Sequence, residues 1–342
     1  MARYWLVLGV LCAALAAAAC GGEDDAAAGE GTSSAPASAS FPVTIEHAFG
    51  ETTITEAPKR VAAWGWGSAD ATIALGVVPV AIPFQSYGGD AKGVLPWIRE
   101  ALDARGAAVP TVLPDSAEEP PYEEIAAAEP DLILAVYSGI TKEQYELLSA
   151  IAPTVAYPGE AWATPWKDTI SIVGTALGKD AEAAALLEDI DAQLAEQADA
   201  HPELAGTSVA MVWDAAGTFY VYKKADPRVE ATLALGLTSA PSVDDLATGD
   251  ETFYYTLSYE ELDRLTSDIL VSFADTEKLS RDFLASSHGR AMQQAKDGTV
   301  AEVVGSEFVA AVSPPTALSL TWGLEEYVDI LAAAAARADE RS

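Results

Sequence analysis

Val43-Thr44-Ile45-Glu46-His47 and Thr52-Thr53-Ile54-Thr55 alternate apolar and polar positions around Phe49-Gly50, the period-two pattern of an antiparallel hairpin. Beyond Pro58 short apolar runs replace the alternation. They stand at Val61-Ala62-Ala63-Trp64, Val77-Val78-Pro79-Val80-Ala81, Leu132-Ile133-Leu134-Ala135-Val136 and Thr154-Val155-Ala156. Helices are predicted between them, starting near Ser68, Leu95, Pro121 and Thr141. Continuous apolar runs that alternate with helices predict a parallel sheet covered on both faces.

From residue 166 to residue 200 the rhythm is helical. Trp166, Ile170, Val173 and Leu177 share one face, and after Gly178-Lys179-Asp180 the series Ala183, Leu187, Ile190 and Leu194 continues it. A second α/β series follows, with strands predicted at residues 209–213, 219–222, 268–273 and 299–303 and a last helix over 316–337. The fold class is α/β. Two such units joined by one helical segment leave a cleft between them, and strand ends that face it are where open α/β sheets bind ligands.

The N-terminus follows a different pattern. Arg3 precedes an apolar stretch over residues 4–19, which closes in Ala17-Ala18-Ala19-Cys20-Gly21-Gly22. The stretch falls short of the ~20 residues a spanning helix needs, and its charged start and small-residue end are those of a secretory signal. It resembles a bacterial lipoprotein signal, cleaved just before a cysteine that then carries lipid, although Ala17 stands where such signals usually have Leu. Residues 1–19 are then the signal peptide, and residues 20–40, small, polar and aperiodic, a flexible tether. Cys12 leaves with the signal, so the mature chain keeps Cys20 alone and forms no internal disulfide. The expected location is the outer face of the cell membrane, held by lipid on Cys20.

At 342 residues, 50% of them hydrophobic and 21% charged, the chain has room for two lobes and a globular composition. Its formal net charge of -33, from 52 acidic against 19 basic residues, opposes binding to a nucleic-acid phosphate backbone. The same field either steers the protein to a basic partner or reflects a surface adapted to salt.

Six segments carry a resemblance. Pro58-Lys59-Arg60-Val61, Ala74-Leu75-Gly76-Val77-Val78-Pro79-Val80 and Ile125-Ala126-Ala127-Ala128-Glu129-Pro130-Asp131-Leu132-Ile133 come first. Ile151-Ala152-Pro153-Thr154-Val155, Leu257-Ser258-Tyr259-Glu260-Glu261-Leu262 and Ser267-Asp268-Ile269-Leu270-Val271 follow. In that order they resemble substrate-binding proteins of ABC importers for iron-siderophores and vitamin B12, and the likeness covers the chain from about Val43 onward. It implies two Rossmann-like lobes with mostly parallel sheets, residues 41–163 and 201–342, bridged by a single long α-helix within 164–200, and only small opening and closing. It also implies a monomeric solute binder, not an enzyme, with no resident cofactor. In that family one glutamate on each lobe meets arginines of the permease; by position these are Glu123, in Tyr122-Glu123-Glu124-Ile125, and Glu260, in Ser258-Tyr259-Glu260.

Bare zinc or manganese needs three or four converging ligands, whereas the three histidines, His47, His201 and His288, lie in separate segments and read as surface or structural. A ferric siderophore arrives with its iron already wrapped, so the protein needs aromatic faces for the organic skeleton and donors for the exposed oxygens. Trp64 and Trp66, Tyr87, Tyr137 and Trp162 follow the four strands of the first lobe, and Trp213, Tyr222, Arg228 and Phe273 lie at or after strand ends in the second. These nine are the candidate ligand contacts, while Trp97 and Trp166 are assigned to packing. Arg228 either donates to a coordinated oxygen or pairs with Asp226 or Glu230. The runner-up ligand is cobalamin or haem, with Tyr87 or Tyr137 as an axial group, and the rival from another class is an exported hydrolase. Gly65-Trp66-Gly67-Ser68-Ala69-Asp70 imitates a dinucleotide fingerprint, but its Trp stands where backbone must approach a pyrophosphate.

Overall fold

The computed structural model of the protein describes residues 41–116 and 119–340. The expected signal, the tether and Cys20 lie outside those residues. The alternating segment forms a hairpin of β1 (Val43–His47) and β2 (Gly50–Ile54), with Val43 opposite Ile54. Its inward face carries Ile45, His47, Thr52 and Ile54, all buried. Thr52 Oγ1 donates to the Thr154 carbonyl at 2.7 Å and lies 2.9 Å from His47 Nε2, and Phe49 stacks on Tyr145 at 5.1 Å between ring centres. His47 is therefore a packing histidine, and burial lowers its pKa.

The first sheet has five parallel strands: β3 (Val61–Ala63), β4 (Ala81–Ile82), β5 (Thr111–Val112), β6 (Leu132–Ala135) and β7 (Thr154–Ala156), in the order β5-β4-β3-β6-β7. Helices α1 (Ser68–Ala74), α2 (Pro96–Ala104), α3 (Tyr122–Ala127) and α4 (Lys142–Ser149) connect them, near the starts that the sequence predicts. The strand predicted at 77–81 begins only at Ala81. Pro79 has no N–H for a ladder, and the Val77 N–H is spent on the Thr72 carbonyl at 3.0 Å.

The connection between lobes is helical and runs as two consecutive helices, α5 (Trp166–Leu177) and α6 (Asp180–Ala200). Gly178 takes the left-handed conformation at φ 69°, and the Lys179 N–H returns to the Gly174 carbonyl at 2.8 Å, which closes α5. Of the apolar faces read from the sequence, Trp166, Ile170, Val173 and Leu177 on α5 and Ala183, Ile190 and Leu194 on α6 are buried, while Leu187 is half-buried.

The second sheet is mixed. β8 (Ser208–Ala215) turns through Ala216 and Gly217, both at positive φ, into antiparallel β9 (Thr218–Tyr222). Helix α7 (Pro227–Leu233), β10 (Thr238–Ser239), α8 (Pro241–Asp245) and β11 (Tyr254–Leu257) follow. Then come β12 (Ile269–Ala274), α9 (Glu277–Ala285), α10 (Gln293–Asp297), β13 (Val300–Val304), α11 (Ser306–Val312) and α12 (Ser319–Asp339). The order is β11-β9-β8-β12-β13. β10 pairs in parallel with Ser208 and Val209 at the start of β8, while β9 pairs with the strand's later residues. The fold is thus two α/β lobes, one wholly parallel and one mostly so, joined by a helical segment.

Candidate functional site

In the first sheet the chain leaves β3 for β4 and β5 on one side and returns to β6 and β7 on the other. Loops that diverge from such a switch point open a crevice at the strands' carboxyl ends. The β3 loop brings Trp64 and Trp66, and the β6 loop brings Tyr137. Backbone bonds tie the two loops together: the Trp64 N–H donates to Leu134 O at 2.8 Å and the Trp66 N–H to Tyr137 O at 2.9 Å. Trp162, beyond β7, donates its N–H to Ser138 O at 3.0 Å and meets the Tyr137 ring edge-on at 5.8 Å. It lies directly on Gly139, where a Cβ would stand 2.0 Å from the indole Nε1, so only glycine admits the ring there. Trp64, Trp66 and Trp162 line a cavity of about 430 Å³, together with Phe84, Gln85, Ser86 and Asp115.

The second lobe builds its share by strand register. Tyr254 is opposite Tyr222, Tyr220 opposite Trp213, and Trp213 opposite Phe273. Directly paired residues share a face, so one face of this sheet is aromatic across four strands. Arg228, near the start of α7, lies over the Tyr222 ring at 3.8 Å and donates from Nε to Asp226 Oδ1 at 2.7 Å. Asp226 is buried and caps α7 by accepting the Arg228 N–H. Burial pushes the Asp226 carboxyl up, against the pull of the Arg228 guanidinium. Trp213, Tyr222 and Arg228 line a second cavity of about 320 Å³ with Tyr220, Phe253 and Tyr254.

Three contacts join the lobes at this level. Tyr87 Oη donates to Asp275 Oδ1 at 2.7 Å, with its ring 6.2 Å from that of Trp213. Trp66 Nε1 donates to Pro314 O at 3.2 Å. Asp70 Oδ1, fully buried, accepts from Trp97 Nε1 at 2.6 Å and from Thr316 Oγ1 at 2.5 Å. Burial first, and then the Asp275 carboxylate, hold the Tyr87 hydroxyl far above its ordinary range. The Tyr137 hydroxyl is pushed up to about 12 by burial and the Asp226 carboxylate, with Arg228 opposing. Both phenols therefore remain protonated at neutral pH.

Residues 61–302 match the sequence profile described as periplasmic binding protein. The chain belongs to that family. It is 31% identical over 175 residues to the Fe(3+) dicitrate-binding periplasmic protein FecB of Escherichia coli, a match spanning 50% of this chain and 53% of FecB, about half of each. To the Fe(3+)-citrate-binding protein YfmC of Bacillus subtilis it is 26% identical over 237 residues, 67% of each chain. The crystal structure of Streptococcus pneumoniae PiaA in complex with ferrichrome superposes with a TM-score of 0.76 at 33% identity, covering 86% of this chain and 99% of that one. These relatives are named as binding proteins, not as enzymes, or solved with a bound ligand.

Within this periplasmic binding protein, eight of the nine candidate contacts line a cavity or bond across to the other lobe. Phe273 does not. It sits on the same aromatic face beside Trp213 and Tyr222, at 6.1 and 6.2 Å between ring centres, but at 2% exposure it is covered and lines neither cavity. Tyr220, Phe253 and Tyr254 were not among the predicted contacts; the alternation Phe219-Tyr220-Val221-Tyr222 already puts Tyr220 on the side of Tyr222. Trp97 and Trp166 are buried, as assigned. Arg228 pairs with Asp226, one of the two acids the sequence offered. Glu123 and Glu260 are both exposed, each in the first turn of a short helical segment that leaves the carboxyl-end side of its sheet. Glu261 is tied to Arg264, while Glu260 has no side-chain partner among the described residues.

Proposed function

We propose that this chain is the extracytoplasmic solute-binding component of an ABC importer, which holds a ferric siderophore between its lobes and delivers it to a membrane permease. The observation that carries the reading is the pair of aromatic-lined cavities, one on each lobe. Trp64, Trp66, Tyr137 and Trp162 offer ring faces from one side, and Trp213, Tyr222 and the Arg228 guanidinium from the other. Among the described residues no three His, Cys, Asp or Glu side chains converge to hold a metal ion, which suits iron that arrives already chelated. The relatives' names supply the cargo class: ferric citrate for FecB and YfmC, ferrichrome in the PiaA complex.

On this reading the iron complex is cargo and no resident cofactor is needed. The lobes are residues 41–163 and 201–342 with 164–200 as the bridge, lipid on Cys20 anchors the monomer at the membrane, and Glu123 and Glu260 meet the permease. For the haem alternative, Tyr87 would have to leave its bond to Asp275 before its oxygen could serve as an axial group.

Tryptophan fluorescence titration against ferric hydroxamates, ferric catecholates, ferric citrate, cobalamin and haem tests the proposal. At least one ferric siderophore should quench the indoles and be recovered chemically unchanged. A response to cobalamin or haem alone would sink the siderophore reading, and hydrolysis of a bound chelate would move the chain to the exported hydrolases.

A further inference from the structure

Resting on the ferric-chelate reading, the charges around the gap decide which chelates fit. Among the described residues the two cavities are lined by one cationic side chain, Arg228, and one carboxylate, Asp115. Arg228 is itself engaged by the buried Asp226 carboxylate, which its Nε holds. The lining thus carries no surplus positive charge. Asp226 Oδ2 is buried without a hydrogen-bond partner. Helix N-termini are the usual second source of positive potential, and two of them here already carry a carboxylate: Asp226 caps α7 and Asp70 lies in the first turn of α1. The remaining polar groups of the larger cavity, among them Gln85, Ser86 and Ser138, are neutral.

We infer that the cargo is a ferric chelate of zero or positive net charge, of the trihydroxamate kind, and that citrate and tricatecholate complexes are disfavoured. Three hydroxamates each contribute one negative charge and cancel Fe(III), leaving a neutral complex, or a cation where the backbone keeps an amine. Three catecholates leave three negative charges, and citrate complexes keep surplus carboxylates. In a gap partly shielded from water each unmatched like charge weakens binding by about tenfold. A neutral chelate avoids that loss, and the Arg228 N–H groups not given to Asp226 remain for its iron-bound oxygens. The charges therefore favour the ligand class of the PiaA complex over that of FecB, although both chains are similar to this one.

The intact chain is titrated by tryptophan quenching with ferrichrome, ferrioxamine B, ferric dicitrate and the ferric tricatecholate of enterobactin at low and high salt. The two hydroxamates should bind at least about a hundredfold more tightly than the two anionic complexes at low salt. Added salt should narrow the difference by strengthening the anionic pair. Asp115→Lys, at an exposed loop position, should move the dicitrate-to-ferrichrome affinity ratio about tenfold toward dicitrate. Tightest binding of dicitrate or tricatecholate at low salt overturns the charge inference and leaves the siderophore reading standing. Quenching by none of the four overturns the siderophore reading, and the charge inference with it.

Discussion

At the scale of single residues, Asp70 makes the sharpest prediction. Burial pushes its carboxyl up from 3.8 to about 6, against the lowering by its bonds from Thr316 and Trp97. An unfolded chain gives up this proton near pH ~4, whereas the folded chain keeps it to about pH 6. Between those values the folded state binds more protons, so stability falls as pH rises through the window and levels off above it. Asp70→Asn keeps an acceptor oxygen for both donors and removes the titration. The difference in urea-unfolding free energy between parent and variant should change by about 3 kcal/mol across that window; a pH-independent difference would show that Asp70 carries no such cost. Among the cavity residues, Trp64, Trp66 and Tyr137 were legible because each stands within three residues of a strand's end. Phe273 was not, since its β12 is buried on both faces and an apolar run does not say which side chains reach a surface. Tyr254 and the preceding Phe253 were hidden for another reason: β11, which Tyr254 opens, is four residues long, and only its register with β9 places it.

Elements were easier to read than residues, and their failures are local. Strands β5 and β10 have two residues each, too short for any period to show. The run at 77–81 looked like a strand by composition and lost most of its length to Pro79 and the turn before it. The bridge was legible as one helical rhythm because the apolar face continues across Gly178-Lys179-Asp180, and that continuity conceals the break. Gly178 at φ 69° is what permits the interruption. Gly178→Ala forces a side chain into the left-handed region and should cost about 1 kcal/mol of stability. Gly178→Asn should recover part of that cost, because asparagine tolerates the conformation better. Equal unfolding midpoints for all three proteins would mean that the two helices do not depend on that turn.

For the whole molecule, alternation of apolar runs with helices was enough to foresee two α/β lobes, since parallel strands buried on both faces leave few other arrangements. On the proposed reading, docking to the permease is a property of the same scale. Glu123 and Glu260 sit on different lobes, both exposed, and reversing both to lysine should abolish iron uptake in cells while ligand affinity of the purified protein stays within about twofold. A matching loss of affinity would show that these acids serve the ligand and not the permease. The Tyr87 bond to Asp275 adds a criterion of girth. On the proposed reading, a chelate broad enough to disturb that phenol forfeits a charge-assisted bond of about 1.5–3 kcal/mol. A bulky guest with an acceptor of its own there recovers the loss, so breadth would then enter the selection beside sign.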